Sequence, residues 1–336
     1  MAKITYREIA KLAGVSLASV SFAIKNKAGV SEETRQKILK VAHQHGYFDN
    51  NLPIQAIMKR PLRIASIFST AAPEEDQLFY EELNSALLRA CNALNYWLVP
   101  TSITERFGQV SLPQCIRDIE VDGVLIFGDL DQNIYEELDR LGIPFVIVDS
   151  YSPSSYPSVS NDYEEVAYEV TQHLIGLGHE KIAFLSNASS QDFNMQTLRG
   201  FHRAMEGARL HVPENWIQLN TGDVEAVNQC LERILSGSQK PSAIFSTVDF
   251  YSFKLIQQLH LLGYRIPEDI SIVSIDDVVV ARLISPPLTT IHVEREMMVQ
   301  KGLEILTKRL NGESCQSVVL PIPKLAIRGT TAPPQK

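Results

Sequence analysis

No apolar run in these 336 residues approaches the roughly 18 that a membrane-crossing helix needs, so no membrane span is expected. Cysteine is scarce: Cys91, Cys115, Cys230 and Cys315 lie far apart with no CxxC pair. That spacing argues against a zinc site and against a disulfide framework. Common nucleotide-binding and hydrolase signatures are also missing. There is no GxGxxG opening a helix after a strand, no GxxxxGK followed by Ser or Thr, and no GxSxG. The histidines form no HExxH or similar pair, and HQH at 43–45, at the end of an expected helix, reads as a solvated face. Neither a catalytic residue, a metal nor a cofactor is therefore expected. The first residues, MAKITYREIAK, are charged and hold no apolar signal core, so the expected location is the cytoplasm.

What is present is an uneven distribution of charge. The net charge of -8 would by itself disfavour a nucleic-acid partner. Residues 1–60, however, carry ten basic side chains against four acidic ones, a net +6, which leaves -14 for the remainder. A small basic head on an acidic body suits a polyanion-binding module joined to something that does not bind polyanions.

The head contains three helix starts. Thr5 and Glu8 have capping-box spacing, and Ile9, Ala10, Leu12 and Ala13 supply an apolar stripe. Gly14 permits a sharp turn, and Ser16 can cap a second helix from Leu17 to about Lys25, with Val20 and Ile24 on its inner face. Ser31 can cap a third, which runs to Gly46 behind Glu32 and Glu33. Small residues at the close approach, glycine at the turn and a branched residue on the second helix are the sequence form of a helix-turn-helix. A small helical hairpin with no nucleic-acid role is the bland alternative.

ITYREIAKLAGVSLASVS, followed by VSEETRQKILKVAHQHGY at 30–47, closely resembles the amino-terminal domain of the LacI/GalR (lactose-repressor/galactose-repressor) transcription regulators, and the resemblance continues through almost the whole chain. It implies that Thr5, Tyr6, Ser16, Leu17, Ala18, Ser21, Phe22, Ser31 and Thr34 face DNA, together with Lys25, Asn26 and Tyr47. Ser16, Ser31 and Thr34 would hold phosphates, which sets register without reading sequence. Leu17, Ala18 and Phe22 would read bases. Position 22 departs from the family, which commonly has an Arg suited to guanine there. Phe22 would either touch thymine methyls or turn inward as core. Lys25 also replaces a usual Asn, although Asn26 is adjacent.

The linker YFDNNLPIQAIMKRP, 47–61, departs further. Tyr47 and Asn50 match the family; Asp49 stands for a usual Pro, Pro53 for Ala, Ile54 for Arg, and Ala56 for the Leu that members wedge into a base step. Ala56 lacks the bulk to unstack bases. A weakened or shifted minor-groove contact is expected, with Ile57 or Met58 as substitute wedge.

From Leu62 short apolar runs alternate with amphipathic stretches. Candidate strands are 62–69, 96–102, 122–128, 144–150, 181–187, 242–249 and 270–277, and the Ser/Pro-rich 150–162 reads as a boundary between two lobes. Such alternation signals parallel sheets covered on both faces. The resemblance implies a small all-α helix-turn-helix domain (1–46), a hinge (47–61) and an α/β two-lobed effector domain of periplasmic-binding-protein-like (type I) fold with doubly wound parallel sheets (62–336). Lobe N would take about 62–160 and 293–321, and lobe C about 162–290 and 322–330. The crossovers would lie near 151–161, 290–293 and 320–323.

For the effector, the resemblance points to Asp276, a strand-end carboxylate able to accept from sugar hydroxyls or to cap a turn. Asp162 would contact ligand or organise the hinge. Phe79 and Tyr80 would stack on a sugar ring or belong to the core, while Phe127 and Asp249 sit at strand ends facing the cleft. The family's ligand-binding Arg, three residues before a Gly-aromatic pair, is Thr197 here. The expected partners are double-stranded operator DNA, a small-molecule effector of carbohydrate type, and a second copy in a homodimer, since no heptad repeat follows Pro333. A sugar-binding protein without DNA specificity is the alternative function.

Overall fold

Each of the first three helices begins at a hydroxyl. In the computed structural model, which describes residues 4–25, 27–48, 60–69, 77–103, 105–106, 109–118, 120–150, 155–186, 191–219 and 224–335, Thr5 caps α1 (Tyr6–Ala13), Ser16 caps α2 (Leu17–Ile24) and Ser31 caps α3 (Glu32–Gln44). The capping box is complete: the Thr5 backbone N–H and hydroxyl both donate to the Glu8 carboxylate, and the Glu8 N–H returns to the Thr5 hydroxyl. Gly14 closes α1 in the left-handed conformation, φ 64°. Ile9, Ala13, Val20, Ala23, Ile38 and Ala42 meet in a small apolar core. Leu12, expected in the stripe of α1, is instead 52% exposed.

The body is built on two six-stranded sheets. The first contains β1 (Arg63–Ser69), β2 (Trp97–Ile103), β5 (Gly123–Phe127), β6 (Phe145–Val148), β7 (Ser158–Ser160) and β13 (Val318–Val319), in the order β13-β7-β6-β5-β1-β2, all parallel. β3 (Glu105–Arg106) and β4 (Gln109–Val110) pair with each other outside it. The second sheet contains β8 (Ile182–Ser186), β9 (Ile217–Leu219), β10 (Ala243–Ser246), β11 (Ser271–Asp276), β12 (Thr289–His292) and β14 (Lys324–Ala326), in the order β14-β12-β11-β10-β8-β9. Only β14 runs antiparallel there. Wholly buried strands such as GVLIF (123–127) and IAFLS (182–186) explain the unalternating apolar runs, because helices cover both faces.

Those helices are α4 (Gln77–Ala93), α5 (Gln114–Arg117), α6 (Gln132–Leu141), α7 (Tyr163–Gly176), α8 (Gln191–Gly207), α9 (Val224–Leu235), α10 (Asp249–Leu261) and α11 (Arg295–Leu310). α7 and α8 cross at Gly200, where an added Cβ would overlap the Glu164 carbonyl oxygen. The chain changes sheet between β7 and α7, between β12 and α11, and between β13 and β14. The Ser/Pro-rich stretch read as a boundary between two lobes also contains a strand, β7, which hydrogen-bonds β6 and β13.

Candidate functional site

In the head, the core faces one way and α2 faces the other. Leu17 is 46% and Phe22 37% exposed, Ala18 and Lys25 are exposed, and Ser21 is half-buried. Phe22 fits neither simple expectation. One side of its ring lies against Gly29, whose φ of 120° and missing side chain make room for it, and the rest of the ring stays open. The Ser16 hydroxyl accepts from Ser19 N and the Ser31 hydroxyl from Thr34 N, at 3.1 and 3.2 Å. An accepting hydroxyl keeps its own hydrogen for donation, to Ser19 and Thr34 here or to a phosphate. Thr5 differs, since its hydroxyl hydrogen already points at Glu8, and these bonds hold the Glu8 carboxyl below its usual range. Tyr6 and Tyr47 come together, the Tyr47 hydroxyl donating to that of Tyr6 at 3.3 Å. Asn26, Asn50, Ala56 and Ile57 lie outside the described residues.

Arg35 was missed by sequence reasoning. It is buried, and its guanidinium donates to the carbonyls of Phe22, Ala23 and Lys27, closing the carboxyl end of α2. A cation there meets both the unpaired carbonyls and the negative helix end. Its spacing from Ile38 and Ala42 on the inner face was the available signal.

At the body's second region of interest the carboxyl edges of the two sheets meet. Tyr80 and Phe127 pack about Phe68, with Phe68 stacked on Phe127 at 4.5 Å, and Gly128 leaves room for the Tyr80 hydroxyl. Phe79 is 8% exposed, and the Arg295 guanidinium lies over its ring at 5.1 Å. Arg295 also donates to the Asp276 carbonyl and pairs with Glu82, whose carboxylate accepts from Val279 N. One α4 side chain therefore touches the opposite lobe.

Asp276 is half-buried with φ 124°, and Asp149, at the end of β6, has φ 61°. Such strain in non-glycine residues concentrates at functional sites. Tyr163 donates to Asp149 at 2.7 Å; burial and the nearby Asp149 carboxylate, with a smaller effect from Asp276, hold its phenol well above the ordinary range. Sequence reasoning missed this pair because Asp149 and Tyr163 belong to segments joined only by β7.

Two of the expected effector residues, Thr197 and Asp249, are placed otherwise, whereas Asp162 stays exposed just after the crossover. Thr197 is fully buried, and its hydroxyl turns back to the Phe193 and Asn194 carbonyls of its own helix. Asp249 is fully buried, accepting from Thr290 Oγ1 at 2.7 Å and Val278 N at 3.0 Å, and burial pushes its carboxyl up to about 7. Asp162 is exposed and caps α7 by accepting from Glu165 N. Asp277, the second acid of SIDD, meets Arg282, His292 and Arg328 at 2.9, 2.8 and 2.6 Å. Among the described residues there is no group of His, Cys, Asp and Glu able to hold a metal, and no helix long and apolar enough to cross a membrane.

Comparison with known proteins follows the same two parts. Residues 5–50 match the model for bacterial regulatory proteins of the lacI family, and residues 171–331 match a periplasmic binding protein-like domain. The HTH-type transcriptional repressor PurR of Vibrio vulnificus is 30% identical over 334 residues, covering 97% of this chain and 98% of its own length. Catabolite control protein A of Priestia megaterium is 26% identical over 95% of this chain and 96% of its own. Among solved structures, a LacI family transcriptional regulator from Mycobacterium smegmatis has a TM-score of 0.69 at 26% identity, covering 81% of this chain and all of that one. The transcriptional regulator CelR in complex with cellobiose has a TM-score of 0.66 at 24% identity, over 97% of this chain and 99% of that one.

Proposed function

The chain belongs to the lacI family of bacterial regulatory proteins, and on that premise we propose that it acts as a transcriptional repressor that binds a two-fold symmetric operator as a homodimer and answers to a small effector between its lobes. The observation that carries the reading is the exposed outer face of α2, with Leu17, Ala18 and Phe22 turned away from the head's core and Ser16 and Ser31 at flanking helix starts. Phosphate donors around an apolar reading face fit a half-site rich in thymine methyls. The relatives' names favour repression.

The effector reading rests on the half-buried rings of Phe68 and Tyr80, linked through Phe79 and Arg295 to Asp276, a pairing of rings with a carboxylate that suits a hydroxyl-bearing ring. A carbohydrate agrees with the cellobiose held by CelR. With Thr197 at the position of the usual Arg, the ligand would be held by acceptors and rings rather than by a cation. Selection of random duplex DNA by the purified full chain tests the regulator reading. A two-fold symmetric enriched site is expected; a folded protein that enriches no sequence at moderate salt overturns it.

A further inference from the structure

The face of α3 opposite the head's core is only partly solvated: Glu33 and Lys37 are exposed, but Lys40 is not. Lys40 is 8% exposed, and its ammonium donates to the Asp122 carbonyl at 2.8 Å and to the Val121 carbonyl at 3.4 Å, at the amino end of β5. Asp122 is itself 2% exposed. Its carboxylate takes both Arg60 amino groups at 2.7 and 2.8 Å, and the Arg63 N–H as well. A second touch lies one turn on, where Gly312, just after α11, packs against the Gln44 carbonyl so closely that an added Cβ would stand 3.2 Å from it. Beside these contacts runs a crevice of about 510 Å3 rimmed by Glu32, Glu33, Lys37, Arg63, Asp118 and Glu120.

We propose that this is a seat for the DNA-binding head, so that lobe N carries the head through Lys40 and Asp122 and sets its position directly, in addition to the covalent linker. The seat leaves α2 open, as a reading helix requires. It also sits on a strand whose other end, Phe127, belongs to the aromatic group at the opposite edge of the sheet. β5 is buried along its whole length, and packed interiors move as units rather than bend. A shift of lobe N therefore moves the head with it. A buried ammonium is costly unless its hydrogens are accepted, and the paired carbonyls and nearby carboxylate meet that need at this one register.

Competitive acetylation of the full-length protein without DNA, read lysine by lysine by mass spectrometry, tests the seat whether or not an operator is ever found. Lys40 is expected to react at least about tenfold more slowly than exposed Lys37, one turn away. Asp122→Asn, which removes the carboxylate, is expected to speed Lys40 towards Lys37 and to leave Lys301 unchanged. Arg60→Gln guards against simple unfolding: removing a cation beside the ammonium favours its protonated, unreactive form, so Lys40 should slow further, whereas unfolding would speed it. Lys40 reacting like Lys37 in the unaltered protein overturns the proposal, and so does protection that neither substitution moves.

Discussion

Replacing Asp249 by Asn should abolish a loss of stability that the protein otherwise suffers as the pH rises from about 4 to about 7. The carboxyl sits at the start of α10 with no exposed surface, and burial raises it to about 7, the Asp277 charge adding to the effect while the bonds from Thr290 and Val278 oppose it. In the unfolded chain it titrates near 3.8. Between those values the folded state holds a proton that the unfolded state has lost. Stability from this group is thus complete below about pH 4, falls about tenfold in the folding constant per pH unit, and is exhausted above about pH 7, a difference of about 4 kcal/mol. Asn is neutral throughout. Its oxygen can keep the Val278 N–H, and its amide can donate to Thr290, whose hydroxyl turns from donor to acceptor. The two proteins should match to within about 1 kcal/mol at pH 4, differ by about 1–2 kcal/mol at pH 5, and the variant should be the more stable by about 4 kcal/mol at pH 8. Urea titration followed by Trp216, buried in lobe C, in a Trp97→Phe background reports that lobe alone. His173 and His179, lowered by burial, push the opposite way but are common to both proteins and cancel in the difference. Parallel pH profiles would refute the reasoning and return Asp249 to the ligand-facing role the resemblance suggested.

Gly200→Ala should destabilise lobe C by about 1–3 kcal/mol or more, measured by the same fluorescence. The overlap with the Glu164 carbonyl cannot be relieved by a side-chain rotation and outweighs the roughly 1 kcal/mol that alanine gains within a helix. Phe22→Arg should place a guanine in the selected half-site with a preference of about fivefold or more, at the cost of the ring packing on Gly29; unchanged selected sequences would mean that position 22 does not reach the bases. Burial lowers Lys40 to about 8, against the pull of Asp122 and with help from Arg60, so raising the pH from 8 towards 10.5 relieves the buried charge and should tighten seating about tenfold per unit. Small-angle scattering should show the DNA-free protein contracting over that range, and Lys40→Met should abolish the trend.

Features written in neighbouring residues were legible in the sequence. Caps at Thr5, Ser16 and Ser31 depend on atoms three residues away, and the seven apolar runs read as strands are all strands. β7, β9 and β12–β14 span four residues or fewer and exist because a neighbouring strand offers its edge, which no local pattern announces. The site divides similarly. The resemblance assigned positions to Thr197 and Asp249, but whether a side chain there opens to a cleft depends on rotamer and on partners such as Thr290, 41 residues away. Lys40 is the extreme case, a lysine on an apparently polar helix face whose acceptors lie 81 and 82 residues on.

The interleaving of the lobes has a consequence for how the protein is made. Lobe C draws its five parallel strands from one stretch, 182–292, whereas the first sheet, nearly complete by residue 160, still lacks β13 at 318–319 and the cover of α11, whose Gly302 and Leu306 lie on Val148, Leu125 and Gly123. A ribosome releases these strands first, yet one sheet face stays bare until almost the whole of lobe C has followed. The half translated earliest is the half finished last. That interval leaves a hydrophobic surface open to chaperones or to other nascent chains, and it rules out obtaining lobe N by cutting the coding sequence at a single point.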